Sequence, residues 1–218
     1  MVVPDLHRDA FLQALVARDS AWARRAIEAA LEDGVPIPDV YVEVLTPALH
    51  EVGHRWALGD LNIAHEHYAT TIAASLLDRL SERRLLPPKD GRLALVTGTP
   101  EEQHALGPRM VADFLEDDGW ETVLLGAGPP ARDIVELVDQ ERPDVVALST
   151  TTAGVLPGVA ELMSALAALR PRPLIVAGGQ FWTAETRVAA LEFGADLVLQ
   201  DVRELVPRLR EAVPPAPE

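Results

Sequence analysis

Two hydrophobic rhythms divide the chain. Up to about residue 86, apolar residues recur at helical spacing. Phe11, Leu12, Leu15 and Val16 predict a first helix, and Ser20 can cap a second that runs through Ala30 and Leu31 until Gly34 ends it. Pro36 and Pro38 open a third helix carrying Val42, Leu45, Leu49, Val52 and Trp56, closed by Gly59-Asp60. A fourth starts near Asn62 and carries Ile63, Tyr68, Ile72, Leu76, Leu77 and Leu80. Short turns between such helices predict a compact four-helix bundle. Leu86-Pro87-Pro88-Lys89-Asp90-Gly91 has the prolines, glycine and charges of a linker. Beyond it the rhythm changes to short apolar runs: Leu93–Val96, Thr122–Leu125, Val145–Leu148, Leu174–Ala177 and Leu197–Leu199. Amphipathic stretches such as Ile134–Val138 and Val159–Leu169 separate them. Five β units alternating with α units predict a doubly wound parallel sheet of Rossmann-like or flavodoxin-like architecture. The expected organisation is a helical bundle over residues 1–88, an α/β domain over 89–212 and a flexible Pro-rich tail over 213–218.

Composition narrows the chemistry. The 218 residues include no cysteine, so disulfides, thiolate metal sites and cysteine nucleophiles are excluded. A net charge of −15 disfavours direct binding of DNA or RNA, which needs clustered Lys and Arg. The first residues lack a basic-then-apolar export signal and no long apolar run follows, so a cytoplasmic location is expected. No acid–base pair or nucleophile stands out, and the chain is not expected to be an enzyme in its own right.

Chemistry-bearing residues collect at one edge of the expected sheet. Glu102-Gln103-His104-Ala105-Leu106-Gly107 lies between the first strand and the helix that contains Met110–Leu115, at the edge where open parallel sheets bind ligands. An imidazole there can ligate a metal, with a carboxylate two residues earlier holding its other nitrogen; it can equally be a solvated histidine. Ser149-Thr150-Thr151 ends the third strand and Gly178-Gly179 the fourth, either as ligand contacts or as an ordinary strand end and turn. Gly126–Pro130 and Thr150–Gly158 are candidate ligand loops by position.

Together these three segments resemble the cobalamin-binding domain shared by methionine synthase, corrinoid methyl carriers and cobalamin mutases. The match covers residues 90–212, with Glu102 in place of the commoner aspartate and Thr151 where leucine is usual. The resemblance implies that cobalamin binds with its dimethylbenzimidazole tail buried in the sheet crevice. His104 would then be the lower axial ligand of cobalt and Glu102 its hydrogen-bonded partner. Gly107 would complete that motif, Ser149 and Thr151 would offer hydroxyls to the buried base, and Gly178 and Gly179 would let backbone approach the tail.

Trp56, followed across a turn by Glu66-His67, resembles the signature of light-sensing adenosylcobalamin proteins of the CarH and LitR type, whose helical bundle covers the upper face of the corrin. By that resemblance Trp56 packs on the 5′-deoxyadenosyl group, and Glu66 and His67 bond it or the corrin edge. Two departures matter. Those regulators begin with a MerR-type DNA-binding segment, whereas this sequence starts at the bundle. The expected arrangement is therefore that of the AerR-type proteins, which act through a separate transcription regulator or signalling protein. The relatives also carry a histidine after the tryptophan, where this chain has Ala57; His54, His65, His67 or water would have to replace it. The expected function is a cobalamin-binding light sensor, possible as a homo-oligomer. The alternative is a corrinoid carrier of a methyltransferase system, while a response regulator is disfavoured because no acidic pocket with a lysine is visible.

Overall fold

The computed structural model describes residues 3–215, so the last part of the expected tail, residues 216–218, lies outside the described residues. The chain divides into two compact units, Met1–Arg84 and Leu85–Glu218. The division assigns residues 85–88, expected at the end of the bundle, to the second unit.

The first unit is helical. It comprises α1 (Val3–Ala17), α2 (Ser20–Glu32), α3 (Ile37–Asp39), a π-helical segment (Val40–Leu45), α4 (Thr46–Ala57) and α5 (Ile63–Ser81). Its core takes Phe11 and Leu15 from α1, Ile27 from α2, Tyr41 and Leu45 from the π segment, Val52 from α4, and Leu76, Leu77 and Leu80 from α5. Asp19, not Ser20, caps α2: its carboxylate accepts the N–H of Trp22 at 2.8 Å, and Ser20 is already helical. Asn62 caps α5, accepting from Ala64 and His65. The third expected helix is observed as α3, the π segment and α4 in continuous succession. Pro47 has no N–H to return to the preceding turn, and the widened turn just before it accommodates that missing bond.

The second unit contains β1 (Leu93–Gly98), α6 (Leu106–Asp117), β2 (Glu121–Gly126), α7 (Ala131–Glu141), β3 (Val145–Ser149), α8 (Leu156–Ala168), β4 (Leu174–Gly178), α9 (Arg187–Phe193), β5 (Leu197–Val198) and α10 (Leu205–Ala212). All strand pairs are parallel, in the order β2-β1-β3-β4-β5. Alternate residues of each strand serve opposite faces. Leu95, Val146, Leu148 and Ile175 join the core packed by α7, α8 and α9. Ala94, Val96, Val145, Ala147 and Val176 join the core with residues of α6 and α10. The chain reverses direction across the sheet between β1 and β3, so the loops at their carboxyl ends flank a crevice. The expected strand at Leu197–Leu199 stops at Val198, although the N–H of Leu199 still reaches the carbonyl of Ala177 at 2.9 Å. Val213, placed in the flexible tail by composition, bonds Leu209 and accepts from Arg92. Among the described residues no helix is long and apolar enough to cross a membrane.

Candidate functional site

The loop after β1 is built around Glu102. Its side chain is only 1% exposed, yet it carries no cation from Lys or Arg. Instead, one carboxylate oxygen accepts both the Nδ1–H of His104 and, at 3.1 Å, the backbone N–H of the same residue. The other oxygen accepts the N–H of Thr151 at 2.7 Å, from the loop after β3. Burial alone would raise the Glu102 carboxyl, but these bonds outweigh it and hold its pKa below the ordinary carboxylate value. An ionised carboxylate only accepts, so the proton of the neutral imidazole resides on Nδ1. The lone pair of Nε2 is thereby left for a ligand, on a side chain that is 52% exposed. This carboxylate–imidazole arrangement orients and strengthens a metal-binding histidine.

Neighbouring loops close around that pair. The backbone of Glu102 donates to Thr99 at 2.9 Å and accepts from Gly128 at 2.8 Å, which ties the loop after β1 to the loop after β2. A Cβ at Gly128 would collide with the carbonyl of Thr99, so glycine is obligatory there. Glu101 sits in the left-handed region at φ +66°, a conformation a non-glycine residue adopts at a cost of roughly 1 kcal/mol or more. With Gln103, Ala127, Gly154 and Val155, these residues line a cleft of about 660 Å³ at the carboxyl edge of the sheet.

The other expected residues converge on the same edge. A Cβ on Gly107 would stand 3.1 Å from the Ser149 hydroxyl, which places the start of α6 against the end of β3. Thr151 contributes through its backbone, as described for Glu102. The two glycines after β4 are not equivalent. Gly179, at φ +100°, runs so close to the Thr150 backbone that a Cβ would lie 2.8 Å from its nitrogen; the fold itself requires glycine. At Gly178 a Cβ would meet only the Leu199 carbonyl, at 3.7 Å, so nothing in the protein demands its absence. Sequence reasoning passed over Glu101 and Thr99, and named Thr150 only as part of a ligand loop, with no role for its side chain. The Thr150 hydroxyl is fully buried and has no hydrogen-bond partner, which ordinarily costs about 1–3 kcal/mol.

In the helical unit, Trp56 occupies the last turn of α4 and is 46% exposed. Glu66 and His67 lie in the opening turns of α5, beyond the Leu58–Asn62 connection. Glu66 accepts the Thr70 hydroxyl at 2.9 Å and the Nδ1 of His67 at 2.8 Å. His67 thus has the same carboxylate-held Nδ1 as His104. The Nδ1 of His65 is engaged by Asn62 at 2.8 Å.

A cofactor fits the residues at the sheet edge on three grounds. His104 presents one oriented nitrogen donor, and among the described residues no group of three or more His, Cys, Asp or Glu could cage a bare ion. One donor suits a metal whose other positions a macrocycle already fills. Thr150 holds a buried hydroxyl that no group of the chain bonds, and at Gly178 a Cβ would meet nothing closer than the Leu199 carbonyl at 3.7 Å.

Two families described as B12 binding domain match the chain, one over residues 92–210 and another over residues 7–81. The HTH-type transcriptional repressor CarH of Myxococcus xanthus is 30% identical over 78% of this chain, which spans 57% of that protein's length. The trimethylamine corrinoid protein of Methanosarcina barkeri is 24% identical over 92% of this chain and 94% of its own. The solved structure of the Methanosarcina barkeri monomethylamine corrinoid protein gives a TM-score of 0.78 at 21% identity, covering 96% of this chain and 99% of that one; the fold is shared.

Proposed function

This chain belongs to the B12 binding domain family, and we propose that it is a light sensor that holds adenosylcobalamin with the nucleotide base displaced and His104 as the lower cobalt ligand. The observation that carries the reading is the Glu102–His104 pair, whose buried carboxylate fixes the imidazole tautomer and leaves Nε2 free. When bound, adenosylcobalamin supplies a cobalt–carbon bond that light can break. The remaining work is done by the chain. Glu102 keeps the proton on Nδ1, Ser149 and Thr151 offer hydroxyls to the displaced base, Gly178 leaves room for the tail, and Gly179 lets the loop after β4 cross the Thr150 backbone.

In this reading the helical unit recognises the upper ligand. Trp56 offers an exposed indole face, and Glu66 and His67 offer polar groups beyond the same turn. Ala57 provides no donor, so His54, His65 or His67, or else water, would have to supply one on that side of the cofactor. Loss of the contacts made by Trp56 shifts assembly or a partner interface, because only a ligand with different affinities for two states can bias them. The charge of −15 favours regulation through a separate protein over contacts with nucleic acid. A second reading, a corrinoid methyl carrier, is supported by the end-to-end match to the trimethylamine corrinoid protein.

The test is to load the protein with adenosylcobalamin in darkness and compare absorbance and size-exclusion profiles before and after green light. A spectral change accompanied by altered assembly, or by altered capture of a regulator, supports the sensor. A photolysed spectrum with unchanged assembly and efficient methyl exchange with a methyltransferase supports the carrier. Failure to bind any corrinoid overturns both.

A further inference from the structure

One stretch of α4 carries chemistry that the cobalamin site does not use. His50-Glu51-Val52-Gly53-His54 reads H-E-x-x-H, the pattern in which a helix presents two histidines, one turn apart, to a metal ion. All five residues are helical here. Val52, midway between the histidines, is 2% exposed and belongs to the core of the helical unit. At about 100° per residue, His50 and His54 each stand roughly 200° from Val52 and within about 40° of each other. They share the outward stripe of α4, at positions whose Cβ atoms lie about 6 Å apart, and both are exposed. Trp56 is a further turn of about 200° from His54, so the indole belongs to a different stripe.

Three observations favour a metal over solvation alone. Among the described residues neither His50 nor His54 has a hydrogen-bond or ion-pair partner, whereas His7, His65, His67 and His104 each have a ring nitrogen engaged. Although His50 reaches solvent, surrounding protein desolvates its ring, which lowers its pKa and favours the neutral form that ligates. A Cβ at Gly53 would meet nothing within 4 Å, so the space beside the pair is open to an ion and its other ligands. The glutamate of the pattern is not available as a base, since it accepts the Nε–H of Arg55 at 2.7 Å. Among the described residues no third His, Cys, Asp or Glu joins the pair. Two imidazoles without a carboxylate suit zinc, nickel or copper(II) better than magnesium or calcium.

We propose that His50 and His54 form a metal site separate from the cobalamin site: a two-nitrogen chelate on the outward stripe of α4 that takes a divalent transition-metal ion and leaves its remaining positions to water. With two protein ligands the ion is exchangeable. Because it bridges successive turns, it ties the second half of α4 together. The net charge of −15 favours a dication at any exposed site of the chain.

The experiment titrates zinc chloride calorimetrically into the cofactor-free full chain, as wild type, His50→Ala and His54→Ala, in a buffer without metal-binding groups. The ring C–H signals of the six histidines are followed by NMR, those of His50 and His54 being identified by their loss in the variants. Both side chains are exposed, so the variants fold as wild type does. In wild type the first equivalent of zinc shifts the His50 and His54 signals together and leaves the other four in place. Each variant binds that equivalent roughly tenfold more weakly or worse, because a chelate has become a single donor, and copper(II) binds wild type more tightly than zinc does. Zinc raises the melting temperature of wild type and not of either variant. Absence of zinc binding, equal affinity in wild type and both variants, or a first equivalent that shifts His65, His67 or His104 instead overturns the proposal. None of these results bears on cobalamin binding, which is measured separately.

Discussion

The two edges of the parallel sheet are built on opposite principles. At the amino edge, charge is buried and fully answered. Arg92 bonds Asp90 and Asp118 and lies 4.4 Å over the Trp120 ring, and Asp118 also accepts from Arg210 of α10 and from the Trp120 indole. The guanidinium of Arg92 holds the Asp90 carboxyl below its ordinary pKa. At the carboxyl edge, Thr150 buries a hydroxyl without a partner, Glu101 is held in the left-handed region, and His104 exposes a free nitrogen. One edge is finished by the chain alone. The other leaves an oriented nitrogen donor and a buried hydroxyl that the chain itself does not bond.

Substitutions separate the two edges, beginning with the largest effect. His104→Ala removes the one oriented nitrogen donor, so cobalamin affinity should collapse in a spectroscopic titration while thermal stability stays near wild type, because the side chain is half exposed. Asp118→Ala should do the reverse. Its carboxylate is 4% exposed, and removing it strands part of the Arg92 charge, at a cost of about 3 kcal/mol in denaturant unfolding with cobalamin affinity retained. Glu102→Gln should weaken cobalamin binding about 10- to 100-fold, the usual effect of losing the group behind a metal-binding imidazole.

The same substitution has a pH signature. The folded-state pKa of Glu102 lies below its unfolded value, so its contribution to stability is complete above the ordinary carboxylate pKa and is lost as pH falls through the lowered one. Acid unfolding curves of Glu102→Gln should therefore be flatter in that interval than wild type, and parallel to it near neutrality. The smallest effect distinguishes the glycines. Gly178→Ala should leave stability almost unchanged and still reduce cobalamin affinity, whereas Gly179→Ala should lower stability because the Thr150 backbone blocks its Cβ. Equal thermal stability for the two alanine variants would contradict that distinction.

Much of the fold was legible because its periodicities are clean. Helices with buried Phe11, Leu15, Ile27, Leu76 and Leu80, and strands whose alternate residues feed two cores, leave little ambiguity. The π segment was not legible, since its buried residues Val40, Tyr41, Val44 and Leu45 keep a spacing that an α-helix also gives. Nor was the cap of α2, where Asp19 and Ser20 are both competent and only the backbone decides. At the site, His104 and Glu102 could be read because they are two residues apart. The Thr151 N–H that completes Glu102 comes from the loop after another strand, and a backbone donor carries no sequence signal. Gly179 was taken as room for a ligand, and the structure assigns it first to the crossing of its own Thr150.

The central claim is that His104 replaces the nucleotide base beneath cobalt. Electron paramagnetic resonance of the bound, reduced cobalt(II) form, with histidine labelled by nitrogen-15, tests it most directly. The account predicts that the nitrogen splitting changes from the three-line pattern of nitrogen-14 to the two-line pattern of nitrogen-15, and that His104→Ala abolishes the labelled pattern. A splitting that stays three-lined in the labelled protein would show the cofactor's own base still on the metal and would contradict the account.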